Sequence, residues 1–236
     1  MTPTTELMAL HDSTDRLLAR VDGLDPAAVG LASRLPDWTV GHLLTHLARN
    51  ADGNVRMIEG AARGQVLDQY AHGREGRAAD IESGAARPAE VIIADVRHSA
   101  AALADALEAM PDDAWARPVR SFGGEYPAHH VPVARRREVE FHLVDLGMGY
   151  APTDWPADLV DRELAEAVRH LPERLPAGTQ LEVITSDTGV GWSVGEGPST
   201  MVVRGPAPWV LAWLVGRDVP DGTLTMPTGR PRLAPW

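Results

Sequence analysis

The chain contains no cysteine and no lysine. The first absence excludes disulfides, thiolate metal ligands and a protein-borne thiol nucleophile. The second excludes Schiff-base chemistry and a lysine general base. With all 22 basic residues arginine, and with alanine abundant, it reads as the coding bias of a GC-rich bacterial genome. No apolar run approaches the roughly 20 residues needed to cross a bilayer. The opening Met1-Thr2-Pro3-Thr4-Thr5-Glu6 lacks the basic stretch and apolar core of an export signal, so none is expected. Positive charge is scarce. Twenty-two arginines against 33 acidic residues leave a formal net charge of −11, which repels phosphate backbones, so nucleic-acid binding is not expected.

What is present is an ordinary globular composition. Of 236 residues 44% are hydrophobic, enough to bury a core, and the length fits one or two domains. The expectation is a soluble, cytoplasmic protein, a monomer or weak dimer, with no membrane partner. Its chemistry has to come from His, Asp, Glu, Ser, Thr, Tyr, Arg or a bound metal.

Residues 1–150 read as helices. Leu7, Leu10, Leu17, Leu18 and Val21 recur at helical spacing between about Thr5 and Val21, and Asp22-Gly23 ends the run. Thr39 can cap a second helix through Val40, Leu43, Leu44 and Leu47 to Ile58, with Gly60 and Gly64 marking its end. A polar, glycine-containing loop is expected from Gly64 to Gly84. A third helix follows Pro88 and carries Val91, Ile92, Val96, Leu103 and Leu107; a fourth runs from about His129 to Leu146. Four long amphipathic helices predict a bundle. After Tyr150, Ala151 to Pro156 reads as a linker, and residues 151–236 read as a small α+β domain. Its expected elements are a helix over Asp158–His170, strands over Gln180–Thr185, Gly191–Val194 and Thr200–Arg204, a helix over Pro208–Val215 and a last strand over Thr223–Met226. The fold class is therefore α plus α/β.

Nine histidines are the first place to look for chemistry. At about 100° per residue, His46 lies at the margin of the second helix's apolar stripe and His42 nearer solvent, so His46 is the better candidate for the interior. On the fourth helix Val131, Val139 and Leu146 mark the buried stripe, and Glu138 and His142 fall inside it at i,i+4 spacing. Glu140 projects to the opposite side. A buried carboxylate needs a cation or hydrogen bonds. An ion pair with a neighbouring arginine, a bond to His142 and a metal all answer that need. The metal reading takes His46, Glu138 and His142 as three ligands with a fourth position open, as a catalytic zinc requires. Iron or nickel suits the same donors. Asp145 shares the face and can orient a ligand. His129-His130 reads as a solvated helix start and Arg135-Arg136-Arg137 as a charged flank. Ser193 and Ser199 lack a recognisable His and Asp partnership, so a serine hydrolase is not expected.

The segment from Asp37 to Ala48, with His42 and His46, resembles the first metal-ligand segment of the DinB-like bundle proteins. The segment from Arg136 to Gly147, with Glu138 and His142, resembles the second. Within that superfamily the chain resembles the mycothiol-dependent maleylpyruvate isomerases of actinobacteria, which join such a bundle to a small C-terminal α/β domain. Arg77 to Glu82 and Leu211 to Arg217 resemble two further segments of that family. The resemblance implies that residues 1–150 are a DinB-like metal-binding bundle and that His46, Glu138 and His142 bind Zn2+ or another divalent metal. It implies that Arg77 and Arg217 lie near an anionic substrate or the thiol cofactor, mycothiol. The implied reaction is the cis-trans isomerisation of maleylpyruvate, a dicarboxylate, to fumarylpyruvate, in gentisate degradation. Here the low-molecular-weight thiol adds reversibly to the double bond. Two other readings remain open at this level: a mycothiol-dependent S-transferase acting on electrophiles, and an apolar-ligand carrier built around Trp192, Trp209 and Trp213.

Overall fold

A computed structural model describes residues 1–198, 200–226 and 233 of the chain, so Ser199 and most of the last ten residues lie outside the described residues. The chain divides into two compact units, Met1–Tyr150 and Ala151–Trp236. The expected fold class holds: helices dominate the first unit, and a small sheet with helices makes the second.

In the first unit, α1 (Thr4–Asp22), α2 (Val40–Ala62), α4 (Ala89–Glu108) and α5 (Val131–Asp145) form the bundle, and α3 (Gly73–Ala85) lies on α2. Helix α2 packs against α4 and α5, and α1 against the same two. Periodicity explains the arrangement. Leu43, Leu44, Leu47, Ala51 and Ile58 of α2 are fully buried, facing an interior shared with Leu10 and Leu17 of α1, Ile92, Val96 and Leu103 of α4, and Val139 and Leu143 of α5. Truncating any such leucine to alanine removes both transfer energy and packing, about 2–5 kcal/mol.

Three features of this unit depart from the sequence reading. The expected loop over 64–84 contains α3. Its glycines and its single buried aliphatic, Ile81, hide the helical signal, but Gly84 packs so closely on α2 that a Cβ there would collide with the side chain of Thr45. Tertiary contact thus overrides a propensity cost of about 1 kcal/mol per glycine. Gly60, expected at the end of α2, sits inside it. A Cβ there would come within 3.0 Å of the Gln65 carbonyl oxygen, while Gly64, at φ +72°, makes the turn that ends the helix. Last, a hairpin of β1 (Pro118–Ser121) and β2 (Gly124–Pro127) precedes α5, with Phe122-Gly123 as its two-residue turn and Val119 buried.

The second unit opens with α6 (Ala157–Arg169), whose Leu159, Leu164 and Ala167 are buried and which packs on α7 (Ala207–Leu214). Its sheet has the order β4-β3-β5, with β3 (Gln180–Thr185) antiparallel to β4 (Gly191–Gly195) and parallel to β5 (Thr200–Gly205). Alternate residues of the central strand, Leu181, Val183 and Thr185, are buried, the period-two pattern of a sheet with one covered face. The segment expected as a last strand contributes one bridge, Arg204 to Thr225. Trp192, Trp209 and Trp213 are each half-buried.

Candidate metal centre

Two helices build the site, and each is fixed by a local device. Pro36 and Asp37 form a turn in which Asp37 adopts φ 65°, a conformation Asp tolerates, and which delivers Trp38 beside α2. Thr39 then caps the helix. Its hydroxyl accepts from the His42 backbone N–H (3.3 Å), and the Thr39 N–H donates back to His42 Nδ1 (3.2 Å). His42 is thereby occupied at the helix start, with Nε2 3.3 Å from the exposed Glu82. His46, one turn on, is buried, and the Trp38 ring lies 5.6 Å from its own.

Helix α5 brings the partners. Nε2 of His46 lies 3.1 Å from Glu138 Oε2 and 3.1 Å from His142 Nε2, and His142 Nε2 lies 3.5 Å from the same carboxylate oxygen. Each of the three offers one ligand atom, all within 4.8 Å of one another. These separations match the edge of a tetrahedron, about 3.3 Å, drawn around an ion with roughly 2.0–2.1 Å bonds. His142 Nδ1 donates to Asp145 Oδ2 at 2.8 Å, and Asp145 is itself buried. That bond fixes the tautomer with its lone pair on Nε2, aimed at the other two residues.

Electrostatics follow the geometry. Burial pushes His46 down to about 4, against the pull of its hydrogen bond to Glu138, so the ring is neutral near pH 7. For His142 burial also opposes the charge, but hydrogen bonds to Asp145 and Glu138 prevail and raise its pKa. For Glu138 burial works to raise the pKa, and the two histidines overcome it, holding the carboxyl well below its usual range.

Arg77, on α3, reaches into this cluster. Its Nη2 lies 2.9 Å from His46 Nδ1, and its guanidinium lies 5.6 Å from the Tyr70 ring centre. Tyr70 in turn stacks on Phe122 of the hairpin turn, at 5.1 Å. The helix hidden in the expected loop is therefore what carries Arg77 to the histidines. Arg217 belongs to the second unit, just past α7, where its guanidinium donates to the Val215 carbonyl at 2.9 Å.

Sequence reasoning missed several residues around the cluster. Glu140 does point away from Glu138, but not into solvent. It is fully buried against α1, where Arg16 donates to it at 2.6 Å and the Tyr150 hydroxyl donates to its other oxygen. Glu138 is the more open of the two, 33% exposed. The arginine run, expected as a charged flank, lies largely inside: Arg135 and Arg136 are both buried. A helical wheel gives direction only, and nothing in the sequence says that α1 lies across from Glu140.

Residues 10–147 match the family model described as the mycothiol maleylpyruvate isomerase N-terminal domain. Over its whole length the chain is similar to two solved structures, each at a TM-score of 0.91 and 25% identity, covering 100% of this chain and 98% of the other. One is a mycothiol-dependent maleylpyruvate isomerase, and the other is a variant of it with a histidine changed to alanine. None of the curated proteins matches.

Proposed function

The chain belongs to the mycothiol maleylpyruvate isomerase family, and from that membership we propose that it is a zinc- and mycothiol-dependent isomerase converting maleylpyruvate to fumarylpyruvate. The observation that carries the reading is the convergence of His46, Glu138 and His142 on one point, with tetrahedral-edge spacing and a buried carboxylate behind His142. Two imidazoles and one carboxylate suit zinc and leave a coordination position open. Bound by these three residues, a divalent metal would lower the pKa of a coordinated thiol, the chemistry that would let mycothiol add reversibly across the cis double bond and free it to rotate.

The chain's own residues supply the rest. Asp145 keeps a proton on His142 Nδ1 and so keeps its Nε2 a ligand atom. Glu138 contributes negative charge that offsets the cation. Arg77 holds the remaining ring nitrogen of His46, and a guanidinium can only donate. When His46 ligates through Nε2 its proton resides on Nδ1, which faces a donor, so Arg77 must turn away. Its planar fork is then free to grip a substrate carboxylate or the enolate formed after addition. Arg217 is the second guanidinium offered to the anionic substrate or to the thiol. The absence of cysteine fits an enzyme that borrows its nucleophile.

The test is direct. Zinc-loaded protein given mycothiol and maleylpyruvate should release fumarylpyruvate, seen as a change in the enone absorbance that requires both additions. His46→Ala should abolish it. A stable thiol adduct in place of the released isomer would make the protein an S-transferase, and an unchanged spectrum would overturn both readings.

A further inference from the structure

Helices α1 and α4 do not close completely on each other. Leu7 and Leu10 on one side and Leu103 and Leu107 on the other enclose a cavity of about 290 Å³ whose floor is reached by Arg135 of α5. That size lies at the lower end for small-molecule sites, roughly 300–1,000 Å³. Polar His11 and Glu108 also line the cavity, beside the small exposed Ala104.

The floor is chemically unusual. Arg135 is 2% exposed, and its Nη1 donates to the Leu47 carbonyl (2.9 Å) and to Asn50 Oδ1 (2.8 Å). Both acceptors are neutral. Among the described residues no carboxylate pairs with this guanidinium. The two acids whose charges reach it, Glu138 and Asp52, are engaged elsewhere, Glu138 by the histidines and Asp52 by Arg49 at 2.9 Å. Burial lowers its pKa to about 10, far too high for the group to lose its charge at neutral pH. A buried cation without a counter-charge is costly, and the apolar cavity that Arg135 helps to line offers an anion a way to it.

We infer that the α1–α4 cavity binds a small monocarboxylate with an apolar tail, the carboxylate on Arg135 and the tail between Leu7, Leu10, Leu103 and Leu107. The apolar walls exclude strongly hydrated anions, and the guanidinium selects the carboxylate over uncharged chains of equal length. The cavity shares no lining residue with the metal centre.

Octanoate is the probe. Calorimetric titration of the full-length protein, zinc-loaded and chelator-stripped, should show one site in both forms. Octanoate should bind at least tenfold more tightly than octanol, the expected margin for a charge-assisted contact, and octylamine should not bind. Ala104→Trp blocks the mouth without touching Arg135 and should abolish binding with the thermal midpoint retained. Arg135→Met, if it folds, should reduce octanoate to the affinity of octanol. Equal affinities for acid and alcohol, binding that vanishes with the metal, binding that survives Ala104→Trp, or no binding up to the solubility limit would each overturn the inference.

Discussion

Glu138 and Glu140 stand two residues apart on α5, roughly 200° apart around its axis, and the two faces they occupy are built for different ends. Glu140 is sealed between α5 and α1, with Arg16 donating to one oxygen and Tyr150 to the other. Glu138 is a third exposed and faces two imidazoles whose own partners, Asp145 and Arg77, leave their Nε2 atoms turned toward it. One face is closed electrostatics that fastens two helices together. The other is open electrostatics, in which one partly exposed carboxylate is shared between two imidazoles. The same helix can serve both because its 3.6-residue period separates them completely.

The sharpest way to break this contrast is to remove each carboxylate in turn. Glu140→Ala should destabilise the metal-free protein by about 2–3 kcal/mol, since it takes the acceptor from the buried Tyr150 hydroxyl and from a part-exposed Arg16. Glu138→Ala should cost the fold about 1 kcal/mol while eliminating measurable zinc affinity. Urea unfolding and a chromophoric chelator give the two numbers, and equal stability losses would erase the distinction.

A further effect is expected from pH. His46 stays neutral in the fold down to about 4, whereas in the unfolded chain it takes a proton near 6.5. Between those values the unfolded state binds more protons, so the metal-free protein should lose stability as pH falls through the window, by up to about 3 kcal/mol. The raised pKa of His142 acts on the other side: its contribution is complete below 6.5 and is lost only as pH rises through the higher, folded value. His46→Gln should flatten the acid limb, and a limb left intact would place the titration elsewhere.

Least severe is Asp145→Asn. The amide retains the shape but no longer offers a charged acceptor to His142 Nδ1, and zinc affinity should fall about 10- to 100-fold. An unchanged affinity in competition with a chelator would show that His142 orients itself.

How much of this was legible beforehand depends on where each signal resides. The bundle helices carry their apolar period in the residues themselves, as Leu43, Leu44 and Leu47 do, and so does the i,i+4 relation of Glu138 to His142. Resemblance to a known family then selected the metal among several readings that spacing left open. The family model and the two solved structures bear that resemblance out. What could not be read lies in contacts between distant segments. Helix α3 depends on Gly84 meeting Thr45, and the burial of Glu140 depends on α1 lying alongside. The contact of Arg77 with His46 needs both α3 and the turn before it.

The capping box at the start of α2 has a consequence for coordination number. His42 and His46 are an i,i+4 pair, the same relation that makes two imidazoles on a helix an effective pincer. Because His42 Nδ1 accepts from the Thr39 N–H, its proton sits on Nε2, which faces Glu82, and His42 is withdrawn from that role. A fourth protein donor would complete the sphere and turn a reactive ion into an inert rivet. At the proposed metal site, the threonine that begins the helix would thereby help keep a seat vacant for a reactant.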